Sequence, residues 1–242
     1  MTVRCAVGDE GDNLLVAALD GELGLSDVVP LRIRLLKCLA EQPEALLVDL
    51  SGLTVSEPLA LAVFTAVNRQ AARWPGTPVL LCAARPQTHA LLTGAAFRQL
   101  PLFATVDHGR RHAGSARRTL PSIFDGLLPI SGAARQARNV TTDACLRWDL
   151  PDLVAPASLV ASELVSNVVD HAHTMMTLRL SLRRRYLSIA VRDGSPVAPE
   201  APGPETPGGS GGRGLFLVQA TAQSWGWLPT DGGKVVWAAL AR

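Results

Sequence analysis

Short apolar runs bounded by turn residues dominate the first hundred positions of the chain. Each run has the length and the flanking residues of a buried strand, and they span residues 13–19, 45–51 and 78–84. Apolar residues at helical spacing lie between and after these runs, at residues 28–41, 58–74 and 87–99. Because strand and helix alternate, the pattern predicts an α/β layer with some parallel strand pairing.

The order of elements changes in the second half of the chain. Two helical patterns come first, at residues 132–148 and 155–172. Apolar and polar residues then alternate in MTLRLSL and YLSIAVRD on either side of an arginine turn, which is typical of an antiparallel hairpin with one packed face. A Pro- and Gly-rich segment, a helix beginning at Gly214 and a strand at 235–240 follow. This half is predicted to be an α+β sandwich, with helices on one side of a mainly antiparallel sheet.

A basic segment separates the two patterns. Residues 108–121 read HGRRHAGSARRTLP, with four arginines and few apolar residues that could join a core. We therefore predict a first domain at 1–107, a basic linker at 108–121 and a second domain at 122–242. A solvated tether is favoured over a nucleic-acid-binding segment because the whole chain is nearly neutral.

Composition and charge narrow the class of protein. The chain has 242 residues, 48% of them hydrophobic, and its 23 basic and 21 acidic residues leave a net charge of +2. That balance argues against an electrostatic reader of nucleic acid or of anionic membranes. The four cysteines are far apart and form no C-x-x-C pair, so neither a zinc site nor a disulfide framework is indicated. With no apolar leader and no charge-free stretch fit to span a bilayer, we expect a cytoplasmic protein.

The segment ASELVSNVVDHA carries the first candidate chemistry. Glu163, Asn167 and His171 stand at i, i+4 and i+8, so they share one face of a helix whose other face is apolar. A carboxylate one turn from a carboxamide can act as a general base beside a magnesium ligand. Taken alone, the same pattern also fits a solvated polar face.

Two further segments could bind a nucleotide. Asp193 ends a predicted strand and Gly194 follows it, so the carboxylate could accept a hydrogen bond from an exocyclic amine such as that of adenine. Gly212, Arg213, Gly214 and Leu215 open a predicted helix, whose exposed backbone N–H groups suit phosphate oxygens. An ordinary turn and a flexible loop end are the respective alternatives.

The three segments follow one another in a fixed order along the chain. With this order, residues 122–242 resemble the GHKL-type ATPase domain of bacterial anti-sigma factor serine kinases. ELVSNVVDHA resembles the family's N box, VRDGSP its G1 box and GGRGLFLV its G2 box, while QSWGW and GGKVVWAAL resemble its closing strands. The resemblance implies binding of ATP with Mg²⁺. It implies that Glu163 is the catalytic base, Asn167 the magnesium ligand and Asp193 the adenine contact.

The resemblance also implies lesser roles. Gly212 and Gly214 would face the phosphates, flanked by Arg213 and Leu215, and His171 would either touch a phosphate or cap the helix. The wider superfamily often has D-x-G in the G1 box. Here Gly194 comes one residue early and Ser195 holds the family's glycine position.

The first half resembles the STAS domain of anti-sigma factor antagonists. LLVDLSGLTVSEPLALAVFTA is similar to the family pattern D-L-S-G-V-T-F-I-D-S-S-G-L, with Asp49 at the first aspartate and Glu57 at the second. In this register Leu59 occupies the place of the serine that the cognate kinase phosphorylates. The STAS half therefore lacks the usual phospho-acceptor, and Ser56 lies nearby but out of register.

Together the resemblances imply a bacterial partner-switching regulator that acts as an ATP-dependent protein serine kinase. Its partners would be a sigma factor, a STAS-domain antagonist or both, and kinases of this family often form homodimers. Two alternatives stay open at this point: an ATP-gated binding module without phosphotransfer, and a non-catalytic scaffold. No sequence feature separates a kinase from an ATP-gated binder, because both need the same pocket.

Overall fold

The computed structural model describes residues 3–9, 13–97, 99–115, 121–199 and 213–242, with only the backbone of Arg213. The chain divides into two compact units, Met1–Arg118 and Thr119–Arg242. Each unit has its own sheet and its own helices.

The first unit is built on a five-stranded sheet in the order β1-β2-β3-β4-β5. Only β1 and β2 pair antiparallel, and the remaining neighbours are parallel. The strands are β1 Arg4–Asp9, β2 Leu14–Leu23, β3 Ala45–Val55, β4 Val79–Cys82 and β5 Leu102–Phe103. The helices are α1 Val28–Ala40, α2 Ala62–Arg73, α3 Pro86–Leu92 and α4 Val106–Ser115, and short 3₁₀ turns at Leu25–Asp27 and Pro58–Leu61 precede α1 and α2. This architecture confirms the predicted α/β class.

The first four residues of the central strand β3, 45–48, are apolar and buried on both faces. Ala45 and Leu47 point into a cluster that includes Ala113 of α4, while Leu46 and Val48 are also fully buried. Strands β1 and β5 were not predicted from the sequence. β1 is a largely exposed edge strand and β5 has only two residues, so neither carries a long apolar run.

The helix α4 corrects the prediction of a linker without regular structure from His108. Residues 108–115 are helical, and Gly109 and Ala113 are buried against the sheet. The sequence analysis missed this helix because its packed positions are occupied by small residues instead of large apolar ones. A Cβ atom at Gly109 would lie 2.6 Å from Cys82 Sγ, so glycine allows the helix to approach the strand this closely. Residues 116–120 of the predicted linker lie outside the described part of the chain.

Replacing Gly109 with valine is expected to destabilise the first unit by about 2 kcal/mol, because the new side chain overpacks the contact with Cys82. Amide hydrogen exchange in β3 and β4 measures this loss locally. Gly114→Val on the same helix is the matched control, since an added Cβ there meets nothing within 4 Å. Equal effects of the two substitutions would contradict the packing of α4 on the sheet.

The cysteines behave as packing residues. Cys38, Cys82 and Cys145 are buried and Cys5 is half-buried, and none of the four is in a disulfide. Burial, with a smaller contribution from the nearby Asp49 carboxylate, raises the pKa of Cys82 to about 12. Cys82 is therefore a neutral thiol at physiological pH.

The second unit has a five-stranded, fully antiparallel sheet in the order β6-β7-β8-β10-β9. Its strands are β6 Ser122–Leu127, β7 Met176–Leu182, β8 Tyr186–Asp193, β9 Ser224–Thr230 and β10 Gly233–Ala241. Its helices are α5 Ala133–Arg147, α6 Val154–Asn167 and α7 Arg213–Thr221. A 3₁₀ turn at Pro151–Leu153 precedes α6, and a π-helical segment at Val168–Ala172 follows it. The predicted hairpin is β7 and β8, and the sandwich of helices on an antiparallel sheet is confirmed.

The core of this unit lies between the helices and one face of the sheet. Alternate strand residues such as Leu178, Ile189 and Val236 meet α6 residues such as Val160 and Leu164. Among the described residues, the helical stretch Pro151–Ala172 is long and apolar enough to cross a membrane by length and composition. Core helices of soluble proteins pass the same test, and this stretch supplies the centre of the core.

Candidate functional site

A pocket of about 180 Å³ opens between the end of α6, the ends of β8 and β10, and the first turn of α7. Four of the predicted site residues line it: Asn167, His171, Asp193 and Leu215. Its other lining residues are Leu164, Val168, Val191, Ser195, Val197, Ala198, Pro199, Lys234 and Val236. The wall is thus mainly apolar with a few polar groups, which is the usual composition of a small-molecule site.

Asp193 is the last residue of β8, and its carboxylate is almost completely buried. Oδ1 accepts hydrogen bonds from the Ser195 backbone N–H at 2.7 Å and from Lys234 Nζ at 3.0 Å. Oδ2 is buried and has no hydrogen-bond partner among the described residues. An unpaired buried acceptor is costly, and this one belongs to a residue of the pocket wall.

The sequence allows Asp193 to be an adenine acceptor or part of an ordinary turn. The structure contains the turn, because Oδ1 accepts from the Ser195 N–H, and the adenine contact stays a prediction. Gly194 does not line the pocket. Its N–H donates to Thr174 Oγ1 at 2.9 Å, so it serves the turn.

Lys234 is a pocket residue that the sequence analysis missed. It lies directly opposite Asp193 in the pairing of β10 with β8. The side chains of Lys234 and Asp193 are only 10% and 1% exposed, so the ion pair is buried. A signal was present in the sequence, because Lys234 is the one charged residue in GGKVVWAAL.

Glu163 and Asn167 meet the beginning of α7. A Cβ atom built on Gly214 would lie 2.7 Å from Glu163 Oε2 and 3.3 Å from Asn167 Oδ1. Both side-chain oxygens therefore touch the first turn of α7, and glycine leaves them the space. Glu163 is half-buried and does not line the cavity, whereas Asn167 does.

The single α-helical face predicted through His171 ends at Asn167. From Val168 to Ala172 the helix is π-helical, and His173 closes it in the left-handed region with φ of 54°. The side chain of His171, which lies in this π-helical segment, is exposed and lines the pocket. Single π turns inside α-helices are frequent at functional sites.

Four predicted site residues, 212–215, belong to the sequence at the start of α7. Leu215 is buried and lines the pocket, and Gly214 packs on α6 as described. Gly212 lies outside the described residues, and only the backbone of Arg213 is described. Within the described ranges, no group of three or more His, Cys, Asp or Glu side chains could hold a metal ion. A magnesium ion bound by Asn167 would thus take its other ligands from phosphates and water.

In the first unit, the loop that carries Leu59 forms the 3₁₀ turn before α2. Leu59, which the resemblance aligns with the phospho-acceptor serine, is 74% exposed. Glu57 Oε2 accepts a hydrogen bond from the Leu25 N–H at 2.7 Å. The Ser56 hydroxyl donates to the Leu23 carbonyl at 3.0 Å, which holds it in the loop.

Two protein families match the chain, one on each half. The Mlab, STAS domain family matches residues 8–102, and the Histidine kinase-like ATPase domain family matches residues 131–240. Among curated proteins, none matches this sequence.

Several solved structures are similar to about half of the chain. An anti-sigma factor antagonist from Mycobacterium paratuberculosis is 21% identical, with a TM-score of 0.39 over 47% of this chain and 92% of that chain. The phosphorylated form of the Bacillus cell fate determinant SpoIIAA is 12% identical, with a TM-score of 0.36 over 45% of this chain and 98% of that chain. The RsbU and RsbW domains of a Mycobacterium tuberculosis protein are 16% identical, with a TM-score of 0.38 over 50% of this chain and 33% of that chain.

The family matches agree with the two folds, an α/β unit with a mainly parallel sheet and an α+β unit with helices on an antiparallel sheet. The chain thus has a STAS-like first domain, followed by a second domain that is similar to the histidine kinase-like ATPases.

Proposed function

We propose that this protein is a cytoplasmic partner-switching regulator whose second unit binds ATP and transfers its γ-phosphoryl group to a serine of a STAS-domain protein. The observation that carries the proposal is the buried, unpartnered Asp193 Oδ2 in a mainly apolar pocket that Asn167 also lines. A purine base with an exocyclic amine fits such a wall, because the amine supplies the missing donor and the apolar residues cover the ring faces.

The nucleotide would be held by residues from four elements. Asp193 would accept from the adenine amine, while Leu164, Val168 and Val191 would pack on the base. The backbone at Gly214 would face the phosphates, where the N-terminus of α7 favours negative charge. Asn167 would hold Mg²⁺, which neutralises the charge that develops on the phosphates.

Glu163 is proposed as the general base. Its carboxylate is half-buried beside Asn167 and Gly214, at the edge of the pocket where phosphates would lie. It would take the proton from the acceptor serine as the hydroxyl oxygen bonds to the γ-phosphorus and the bond to ADP breaks. Positioning and charge stabilisation supply the remainder of the catalysis in this class of reaction.

The STAS unit is proposed as a docking module and not as a substrate. Leu59 cannot accept a phosphoryl group, so we place the acceptor serine on another protein. A sigma factor or a free STAS-domain antagonist is the proposed partner, and the expected homodimer stays a prediction. An ATP-gated binder without phosphotransfer would use the same pocket, and the following experiment distinguishes it.

The test is a titration of the full chain with ATP in the presence and absence of Mg²⁺, followed by incubation with radiolabelled ATP. The phosphate acceptor is a free STAS-domain protein that has a serine where this chain has Leu59. Label on that serine supports the kinase. ATP binding without any label supports the ATP-gated binder, and failure to bind ATP overturns both.

Replacing Asn167 with alanine is expected to remove most of the gain in ATP affinity that Mg²⁺ produces. The physical reason is that the carboxamide oxygen is lost as a metal ligand while the apolar wall for the base stays intact. Isothermal titration with and without Mg²⁺ measures the difference. Ser166→Ala on the adjacent helix position is the control. An equal loss of affinity in both conditions would assign Asn167 a structural role instead.

A further inference from the structure

We propose that Lys234 reads the nucleobase together with Asp193, with its ammonium group donating to a ring nitrogen while Asp193 Oδ2 accepts from the exocyclic amine. This inference rests on the proposed ATP binding and adds a second specificity-determining residue to it. The observations are the burial of Lys234, its ion pair and its position in the wall of the pocket.

The ammonium group has a hydrogen-bond donor to spare. Lys234 Nζ lies 3.0 Å from Asp193 Oδ1 and 3.4 Å from the Ser195 carbonyl oxygen. An ammonium carries three N–H donors, and these two acceptors use two of them within the described part of the chain. The third is available to a ligand, because Lys234 also lines the cavity.

The pocket therefore presents one acceptor and one donor side by side, both attached to the same ion pair. Adenine presents the complementary pair on neighbouring atoms, since its N6 amine donates and its N1 accepts. A carboxylate contact without the lysine would recognise only the amine. The Lys234 and Asp193 pair reads both atoms, so it distinguishes adenine from a base that lacks the ring acceptor.

A purely structural role for Lys234 has a weaker physical basis. Removing two charges from water costs several kcal/mol per ion, and a buried pair often contributes no net stability compared with apolar residues. Here the pair also leaves Asp193 Oδ2 without a partner, so the arrangement is unsatisfied until a ligand binds. Ligand recognition explains both the burial of the pair and its incomplete bonding.

The experiment is an equilibrium titration of the full chain with ATP, 7-deaza-ATP and 1-deaza-ATP. We expect 7-deaza-ATP, which keeps N1 and N6, to bind within about threefold of ATP. We expect 1-deaza-ATP to bind about ten- to a hundredfold more weakly, because it cannot accept from the charged donor. Equal binding of ATP and 1-deaza-ATP would overturn the proposal, and this comparison is made on the wild-type chain alone.

Lys234→Met provides the matched variant, and Lys37→Met, at the only other lysine in the sequence, provides the control. In Lys234→Met the preference for ATP over 1-deaza-ATP should fall to about onefold, whereas Lys37→Met should keep the wild-type preference. A preference that survives in Lys234→Met would mean that another group reads N1. If the wild-type chain binds none of the three nucleotides, the proposed function itself fails, which is a different outcome from equal binding.

Discussion

Replacing Asp193 with asparagine is expected to weaken ATP binding about a hundredfold. The substitution keeps the shape of the side chain but removes the charged acceptor that Oδ2 offers to an exocyclic amine. Hydrogen bonds to charged groups contribute about 1.5–3 kcal/mol, which corresponds to roughly 10- to 150-fold in affinity. Isothermal titration with ATP measures the loss directly.

The Asp193→Asn substitution also breaks the buried ion pair with Lys234. Without the carboxylate, Lys234 is left as a buried cation without its partner, and breaking such a pair costs about 3–5 kcal/mol of stability. The titration must therefore be made well below the lowered melting temperature of the variant. Asp143→Asn, at an exposed position of α5, is the control for the chemical change. Unchanged ATP affinity in Asp193→Asn would show that this carboxylate does not contact the base.

The elements that the sequence predicted well are those whose apolar pattern has a clear period. β7 and β8 alternate apolar and polar residues and form the predicted hairpin. β3 begins with an unbroken apolar run at 45–48, and these residues are buried on both faces. Alternation indicates a strand with one covered face, and an unbroken apolar run indicates a strand that is covered on both faces. Both patterns can be recognised in the local sequence.

The helix α4 and the π-helical segment were not predictable from such patterns. The buried side of α4 consists of Gly109 and Ala113, which have little apolar surface to reveal a packed face. The sequence from Val168 to Ala172 is compatible with a regular α-helix, and only tertiary packing selects the wider turn. Local propensity contains no information about either outcome.

The residues of the candidate site also divide into those that a local sequence pattern indicates and those that depend on the tertiary fold. Asn167 and Asp193 were found because each stands in a recognisable local context, a polar helix face or the end of a strand. Lys234 contacts Asp193 across 41 residues of sequence through the pairing of β8 with β10. Such a contact depends on strand register, which is fixed by the whole sheet and not by the residues near either partner.

The proposed base contacts and the proposed general base lie on different elements, and this determines how the role of Glu163 must be tested. Asp193 and Lys234, the proposed contacts of the base, line the pocket, whereas Glu163 lies beside Gly214 at the start of α7. Because these groups belong to different elements, a change at Glu163 can leave nucleotide binding intact. A separation of binding from phosphotransfer is therefore the signature expected of a general base.

Replacing Glu163 with glutamine is expected to lower the rate of phosphotransfer by about 10²- to 10⁴-fold, the usual contribution of a general base. ATP affinity should stay within about threefold of the wild type, because the base acts as the serine is deprotonated and not while the nucleotide binds. Single-turnover transfer of label to the STAS-domain acceptor gives the rate, and titration gives the affinity. Asp170→Asn, at an exposed position in the adjoining π-helical segment, is the matched control and should retain both. A parallel loss of affinity and rate in Glu163→Gln would instead assign Glu163 to the packing of α6 against Gly214, where its Oε2 already lies within contact distance.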